Sequence, residues 1–261
     1  MKYGFIGCGN MGFALAKALS CRTKDILIFA PNTGKEKAQA LGCMWGTAQE
    51  VAENCQRIFI GVKPNKVQEA LLPLQEIFAR RKPMLISMAA GLTTETIEKY
   101  AGAPLPVLRI MPNTPVSVGK GMTGFTHNHL TDKKTVADFL ADMTEAGLWE
   151  EVQEELMDTV AALSGSGPAY TYYFTEALCQ GAESCGMDKD QALRYAIATL
   201  EGAAEMMKKA EATPQQLRVA VCSPGGSTLA GLKALDNAGF TQAVANCVKA
   251  AYNRNKELAK M

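Results

Sequence analysis

The chain has 261 residues, 48% of them hydrophobic, and 27 Lys and Arg against 26 Asp and Glu give a formal net charge of +1. That length supplies one to two domain cores, and near-neutrality excludes a global pull toward nucleic acid or an anionic membrane. No apolar run reaches the ~18 residues of a membrane span, so a cytoplasmic protein with neither nucleic-acid nor membrane partners is expected.

Lys2-Tyr3-Gly4-Phe5-Ile6 reads as a short buried strand, and Gly7-Cys8-Gly9-Asn10-Met11-Gly12 follows at once. The glycines have the G-x-G-x-x-G spacing of dinucleotide-binding βαβ units. Gly7 permits a sharp turn, Gly9 has no Cβ to block a pyrophosphate, and Gly12 lets the next helix lie close. Residues 11–19 favour helix, so free N–H groups at its start point toward an anion. The competing reading, a glycine turn with a purely structural role, is the weaker one because strand, turn and helix stand in order.

Further strands are expected at 25–29, 57–62, 83–88 and 107–111, with two more around 121–126 and 147–152; helical patterns occupy 34–42, 65–80 and 93–101. This alternation predicts an open, mostly parallel, doubly wound Rossmann-type sheet with helices on both faces. Ligands collect at the carboxyl ends of such strands. Gly7, Pro31-Asn32, Lys63-Pro64, Ala89-Ala90-Gly91 and Asn113 fall there. The second strand ends in Phe29-Ala30-Pro31-Asn32-Thr33-Gly34-Lys35, with no carboxylate before Glu36 to accept from a ribose 2′-hydroxyl. Asn32 and Thr33 can donate to a 2′-phosphate, and Lys35 or Lys37 can add charge. NADPH is favoured, with NADH possible; a plain turn flanked by solvated lysines is the alternative.

Beyond residue 153 strand patterns vanish, and helix-favouring segments run 154–163, 168–185, 188–209, 213–221, 227–236 and 240–258. Ala192, Ala196, Leu200, Ala203 and Met207 recur at three- and four-residue steps, the period of one helical face. Asp188 and Pro214 stand at helix starts. So many small and apolar residues in a short helical segment suggest burial against a second copy of the chain. The expected organisation is an NAD(P)-binding domain over 1–152 and an all-α dimerisation and substrate domain over 153–261. Two loops interrupt the helices: Leu163 to Tyr170, and Val221 to Leu232 with Pro224-Gly225-Gly226 leading into Ser227-Thr228. Free N–H groups and two hydroxyls make the second a compact carboxylate site without arginine. A capped helix start after a glycine turn is the alternative.

The eight cysteines are scattered without a C-x-x-C pair, which suggests reduced, mostly buried thiols. His127 and His129 are the only histidines and lie in a polar stretch, so no metal site is expected. Phe5-Ile6-Gly7-Cys8 matches a lipoprotein cleavage box but lies too close to Met1 for a signal peptide to precede it.

Together these residues resemble the pyrroline-5-carboxylate reductase family over essentially the whole chain. The likeness is carried by Ile6-Gly7-Cys8-Gly9-Asn10-Met11-Gly12, Val62-Lys63-Pro64, Ala89-Ala90-Gly91 and Met111 to Pro115. Its most specific matches are Ser164-Gly165-Ser166-Gly167-Pro168-Ala169-Tyr170 and Ser223-Pro224-Gly225-Gly226-Ser227-Thr228. The resemblance implies reduction of 1-pyrroline-5-carboxylate to proline with NAD(P)H. It implies dimers whose helical domains interlock, each site joining one subunit's nucleotide domain to the partner's helices, and rings of dimers such as decamers. It places the cofactor on Ile6 to Gly12, Val62, Lys63, Pro64, Ala89, Ala90, Gly91 and Asn113, to which the reading of the second strand's end adds Asn32 and Thr33. Substrate falls on Ser223, Gly226, Ser227 and Thr228, with Thr228 near the imine nitrogen. A β-hydroxyacid dehydrogenase shares the opening turn and a helical second domain, but this chain has tyrosines and no lysine where that family's acid/base is expected. A redox sensor that binds NADPH without turnover is the non-enzymatic alternative, and the intact Pro-Gly-Gly-Ser-Thr loop speaks against it.

Overall fold

The computed structural model describes residues 1–258. It has two compact units, one comprising residues 1–168 with the chain from Ala250 onward, the other residues 169–249. The first unit alternates β1 (Tyr3–Ile6), α1 (Asn10–Ser20), β2 (Ile26–Phe29), α2 (Gly34–Leu41), β3 (Met44–Trp45), α3 (Ala48–Asn54) and β4 (Arg57–Ile60). It continues through α4 (Val67–Leu71), α5 (Gln75–Arg81), β5 (Met84–Ser87), α6 (Thr94–Ala101), β6 (Val107–Met111), β7 (Gly121–His127), α7 (Lys133–Asp142), β8 (Gly147–Glu151) and α8 (Met157–Val160).

The eight strands form one sheet in the order β3-β2-β1-β4-β5-β6-β7-β8. Pairing is parallel from β3 to β6; β7 runs antiparallel to β6, and β8 parallel to β7. Alternate side chains of β1, β2, β4, β5 and β6 enter different cores, which explains why these strands read as unbroken apolar runs. Tyr3, Phe5, Ile28, Phe59 and Ile86 pack with Leu15 and Leu19 of α1 and Phe139 of α7. Ile6, Leu27, Ile58, Ile60 and Leu85 pack with Val51 of α3, Phe78 of α5 and Ile97 of α6. Phe5 and Phe59 stack with ring centroids 4.4 Å apart.

All seven expected strands form. The two-residue edge strand β3 and helices α3 and α7 are additions. Both helices carry caps: Thr47 and Glu50 make a reciprocal capping box, and the Asp132 side chain accepts from Thr135 N. The continuous helix expected over 65–80 is broken into a 3-10 turn, α4, a second 3-10 turn over Leu72–Leu74, and α5. Pro73 has no N–H for an i−4 bond and its ring crowds the preceding turn. The expected helix over 154–163 likewise resolves into a 3-10 turn, α8 and a π turn over Ala161–Gly165.

The remaining helices are α9 (Gly167–Ser184), α10 (Lys189–Lys209), α11 (Pro214–Ala220), α12 (Ser227–Asn237) and α13 (Phe240–Leu258). Asp188 caps α10 through Gln191 N, and Thr213 with Gln216 forms a capping box ahead of Pro214 in α11. Among the described residues no helix is long and apolar enough to cross a membrane.

Candidate active site

The sheet order reverses between β1 and β4, which both leave the sheet on the same side because the strands are parallel. A crevice at such a switch point is where α/β sheets take ligands. Gly7 adopts φ +84°, and its N–H donates to Phe29 O at 2.9 Å. A Cβ on Gly7 would lie 2.8 Å from Gly61 C, and one on Gly61 would lie 2.3 Å from Gly7 O. Neither position accepts a side chain. Gly61 was not singled out from sequence, where it passes as one residue of the apolar run 57–62.

Gly9 is the N-cap residue of α1, no side chain caps that helix, and a Cβ at Gly9 would meet nothing within 4 Å. The first N–H groups of α1 therefore face open space beside the turn, as pyrophosphate binding requires. A Cβ on Gly12 would stand 3.4 Å from Gly7 O, an ordinary contact, so Gly12 is less demanding than its place in the spacing suggests. These features fit a dinucleotide: a turn that only glycine can make, an uncapped helix start, and empty volume where a phosphate must approach.

Around the crevice, Asn32 and Thr33 follow β2 and are exposed. From α2, Lys37 reaches back and its Nζ donates to the Cys8 carbonyl, 5.8 Å from the Phe13 ring centroid. Burial pushes the Cys8 thiol up to about 11, against the lowering influence of Lys37. After β4, Val62 is half-buried, Lys63 exposed, and Pro64 opens a 3-10 turn. After β5, Ala89 is buried, its N–H donating to Ser87 Oγ at 3.3 Å, and Gly91 turns with φ +78°.

Asn113 follows β6 and is buried. Its Nδ2 donates to Ser164 O and Oγ, both at 3.2 Å, and its Oδ1 accepts from Met122 N at 2.9 Å. The amide thus ties the π turn of the Ser164-Gly165 loop to β7. Arg109, deep in β6, sits 3.3 Å from Glu154 and 3.4 Å from Asp158. Glu154 in turn accepts from Thr94 N and Oγ1 at the start of α6, at 2.7 and 2.9 Å. Sequence reading passed over this Arg109–Glu154–Thr94 link, since its members lie tens of residues apart.

The second unit carries Ser223 to Thr228. Gly226 N donates to Ser223 O at 3.0 Å, closing a turn in which Gly225 has φ +72°. A Cβ on Gly226 would lie 2.4 Å from Ser223 Oγ. Gly226 is the N-cap of α12, no side chain caps that helix, and Ser223, Ser227 and Thr228 are exposed. Their three hydroxyls make no hydrogen bond among the described residues. The side-chain capping that the alternative reading needed is therefore missing. Among the described residues there is also no group of three or more His, Cys, Asp or Glu placed to hold a metal ion.

The family profile described as pyrroline-5-carboxylate reductase dimerisation matches residues 154–258, and that of NADP oxidoreductase coenzyme F420-dependent matches residues 2–91. The pyrroline-5-carboxylate reductase of Corynebacterium melassecola is 34% identical, over 98% of this chain and 97% of its own. The chain belongs to the pyrroline-5-carboxylate reductase family. Among solved structures of the family, the Plasmodium falciparum enzyme with NADP bound superposes with a TM-score of 0.91 at 29% identity, covering 99% of this chain and 98% of that one. The Streptococcus pyogenes reductase superposes with a TM-score of 0.91 at 32% identity, covering 98% of each. Within this family member the NADP profile takes in Gly7 to Gly12, Val62 to Pro64 and Ala89 to Gly91, and the dimerisation profile takes in Ser223 to Thr228.

Proposed function

We propose that the protein reduces 1-pyrroline-5-carboxylate to L-proline, the final step of proline biosynthesis, with NADPH as hydride donor and NADH as the alternative. The observation that carries this reading is the uncapped Pro-Gly-Gly-Ser-Thr turn, in a chain matched end to end by reductases named for this imine. Ile6 to Gly12, Asn32, Thr33, Val62 to Pro64 and Ala89 to Gly91 hold the dinucleotide, and Asn113 contributes through its main chain because its amide is engaged elsewhere. The bound dinucleotide supplies the hydride.

On the substrate side, Ser223, Ser227 and the free N–H groups following Gly226 receive the carboxylate, and the Thr228 hydroxyl hydrogen-bonds the ring nitrogen. Carbonyl reduction calls for an acid to protonate oxygen as hydride arrives. A cyclic imine that binds already protonated needs none: hydride adds to the carbon of C=N⁺, the π pair passes to nitrogen, and the charge is neutralised. This agrees with a helical segment that lacks histidine and with substrate loops that lack lysine. Positioning and exclusion of water then carry most of the rate.

The same proposal covers organisation: residues 1–152 as the nucleotide domain, 153–261 as the substrate and dimerisation domain, a cytoplasmic homodimer, and rings of dimers such as a decamer. Following NADPH absorbance with 1-pyrroline-5-carboxylate, and separately with 3-hydroxyacids, tests the activity. Oxidation with the imine alone is expected; consumption with hydroxyacids only, or tight NADPH binding without turnover on any substrate, overturns it.

A further inference from the structure

In dinucleotide-binding βαβ units the adenosine ribose lies between the glycine turn and the end of the second strand, where a carboxylate selects a 2′-hydroxyl and a cation accommodates a 2′-phosphate. Here that strand ends in the exposed neutral pair Asn32-Thr33. Across the gap comes Lys37, one turn into α2, with its ammonium hydrogen-bonded to the Cys8 carbonyl inside the glycine turn and 5.8 Å from the Phe13 ring centroid. Lys37 is half-buried, whereas Lys35 is exposed. No carboxylate lies within ion-pair distance of Lys37 among the described residues.

An ammonium has three donors, and Cys8 O takes one. A partly desolvated cation without a carboxylate, beside an uncapped helix start and the open space at Gly9, is a counter-charge for an incoming phosphate. The pyrophosphate is already provided for by the N–H groups of α1, and Lys37 arrives from the β2 side. We infer that Lys37 is the specificity-determining residue of the cofactor site, binding the 2′-phosphate and setting a preference for NADPH over NADH. The inference rests on the dinucleotide reading above, and it moves the discrimination from Asn32 and Thr33 to a side chain anchored on the glycine turn itself.

Calorimetric titration of the full chain with NADP⁺ and NAD⁺, with no imine present, tests it apart from turnover. Unaltered protein is expected to bind NADP⁺ more tightly. Lys37→Met should weaken NADP⁺ ten-fold or more while leaving NAD⁺ within two-fold, Lys37→Arg should keep the preference, and Lys35→Met should change neither. Unchanged NADP⁺ binding in Lys37→Met overturns the inference, as do equal losses for both nucleotides or an equal loss in Lys35→Met. Failure of the unaltered protein to bind either nucleotide overturns the dinucleotide reading instead, and loss of imine reduction with the binding pattern intact overturns only the assigned activity.

Discussion

The two compact units spend their apolar residues in opposite ways. The first packs a core on each face of its sheet and pairs buried polar groups within itself, as with Asn128, which bonds Val107 N, Leu105 O and Glu98. In the second, Ala192 and Ala196 are the only buried residues among those described, while Tyr172, Tyr173, Leu193, Tyr195, Ile197, Met206 and Met207 are 45–75% exposed. A groove of about 700 Å³ between α9 and α10 is lined by Tyr172, Cys179, Leu193, Ile197 and Leu200, among others. The first unit contains its own core; the second offers one half of a core. A large exposed apolar face of this kind marks an association surface, and the proposed second copy is what completes it.

The contrast breaks most visibly at Ile197. Each large apolar side chain buried in association contributes about 1.5–3 kcal/mol, and an unpaired carboxylate placed there opposes it strongly. Ile197→Asp is therefore expected to yield monomers by light scattering and to reduce imine turnover to background, since the Ser223–Thr228 turn depends on the unit that loses its cover. NADP⁺ binding, carried by the self-contained unit, should stay within about two-fold. A monomer with full activity, or an unchanged assembly, would show that the helical face is no interface.

Two glycines sharpen the picture within the first unit. Gly7→Ala combines a left-handed backbone with a Cβ driven into Gly61, at an expected cost of about 2–4 kcal/mol. Gly9→Ala meets no protein atom, so its melting temperature should be unchanged while dinucleotide affinity falls ten-fold or more. Chemical denaturation and nucleotide titration of both variants separate the two roles. Equal effects on folding would mean that the glycine spacing serves the turn rather than the ligand.

In the second unit the corresponding experiment is Thr228→Ala. Thr228 is exposed and its hydroxyl unengaged, so stability should hold. Turnover should fall ten-fold or more, each decade being about 1.4 kcal/mol of barrier. An unchanged rate with 1-pyrroline-5-carboxylate removes Thr228 from the mechanism.

What sequence revealed follows the range of the interactions. Strands β1, β2, β4, β5 and β6 were legible because burial on both faces leaves continuous apolar runs. The two glycine turns were legible because each precedes its helix directly in the chain, Gly226 N closing on Ser223 O in one case and Phe13 N opening α1 on Gly9 O in the other. Helix α3 was missed although its capping box lies within four residues, and α7 was missed because Val136 and Phe139 alone mark its buried face. The supports of the candidate site were hidden for a different reason. Lys37 meets Cys8 across 29 residues and Asn113 meets Ser164 across 51, and no local pattern reports which distant partner a polar side chain finds.

The smallest expected effect lies far from the crevice, where β1 meets α7. Tyr3 Oη donates to Asp142 Oδ2 at 2.5 Å, and Lys2 Nζ lies 2.6 Å from the same oxygen. Burial by itself would raise the Asp142 carboxyl, but the hydrogen bonds from Lys2 and Tyr3, with the charges of Lys2 and Arg57, hold it below its ordinary value. A carboxyl depressed in the folded state contributes its stability above the unfolded value, ~3.9, and loses it as pH falls through the folded one. Asp142→Asn should therefore cost about 1–2 kcal/mol at neutral pH. The gap from the unaltered protein should stay constant down to about pH 5 and close below about pH 4. Denaturation curves across that range read the effect directly. A gap that persists undiminished in acid would mean that Asp142 acts through packing rather than charge, and that the first unit owes its self-sufficiency to its apolar cores alone.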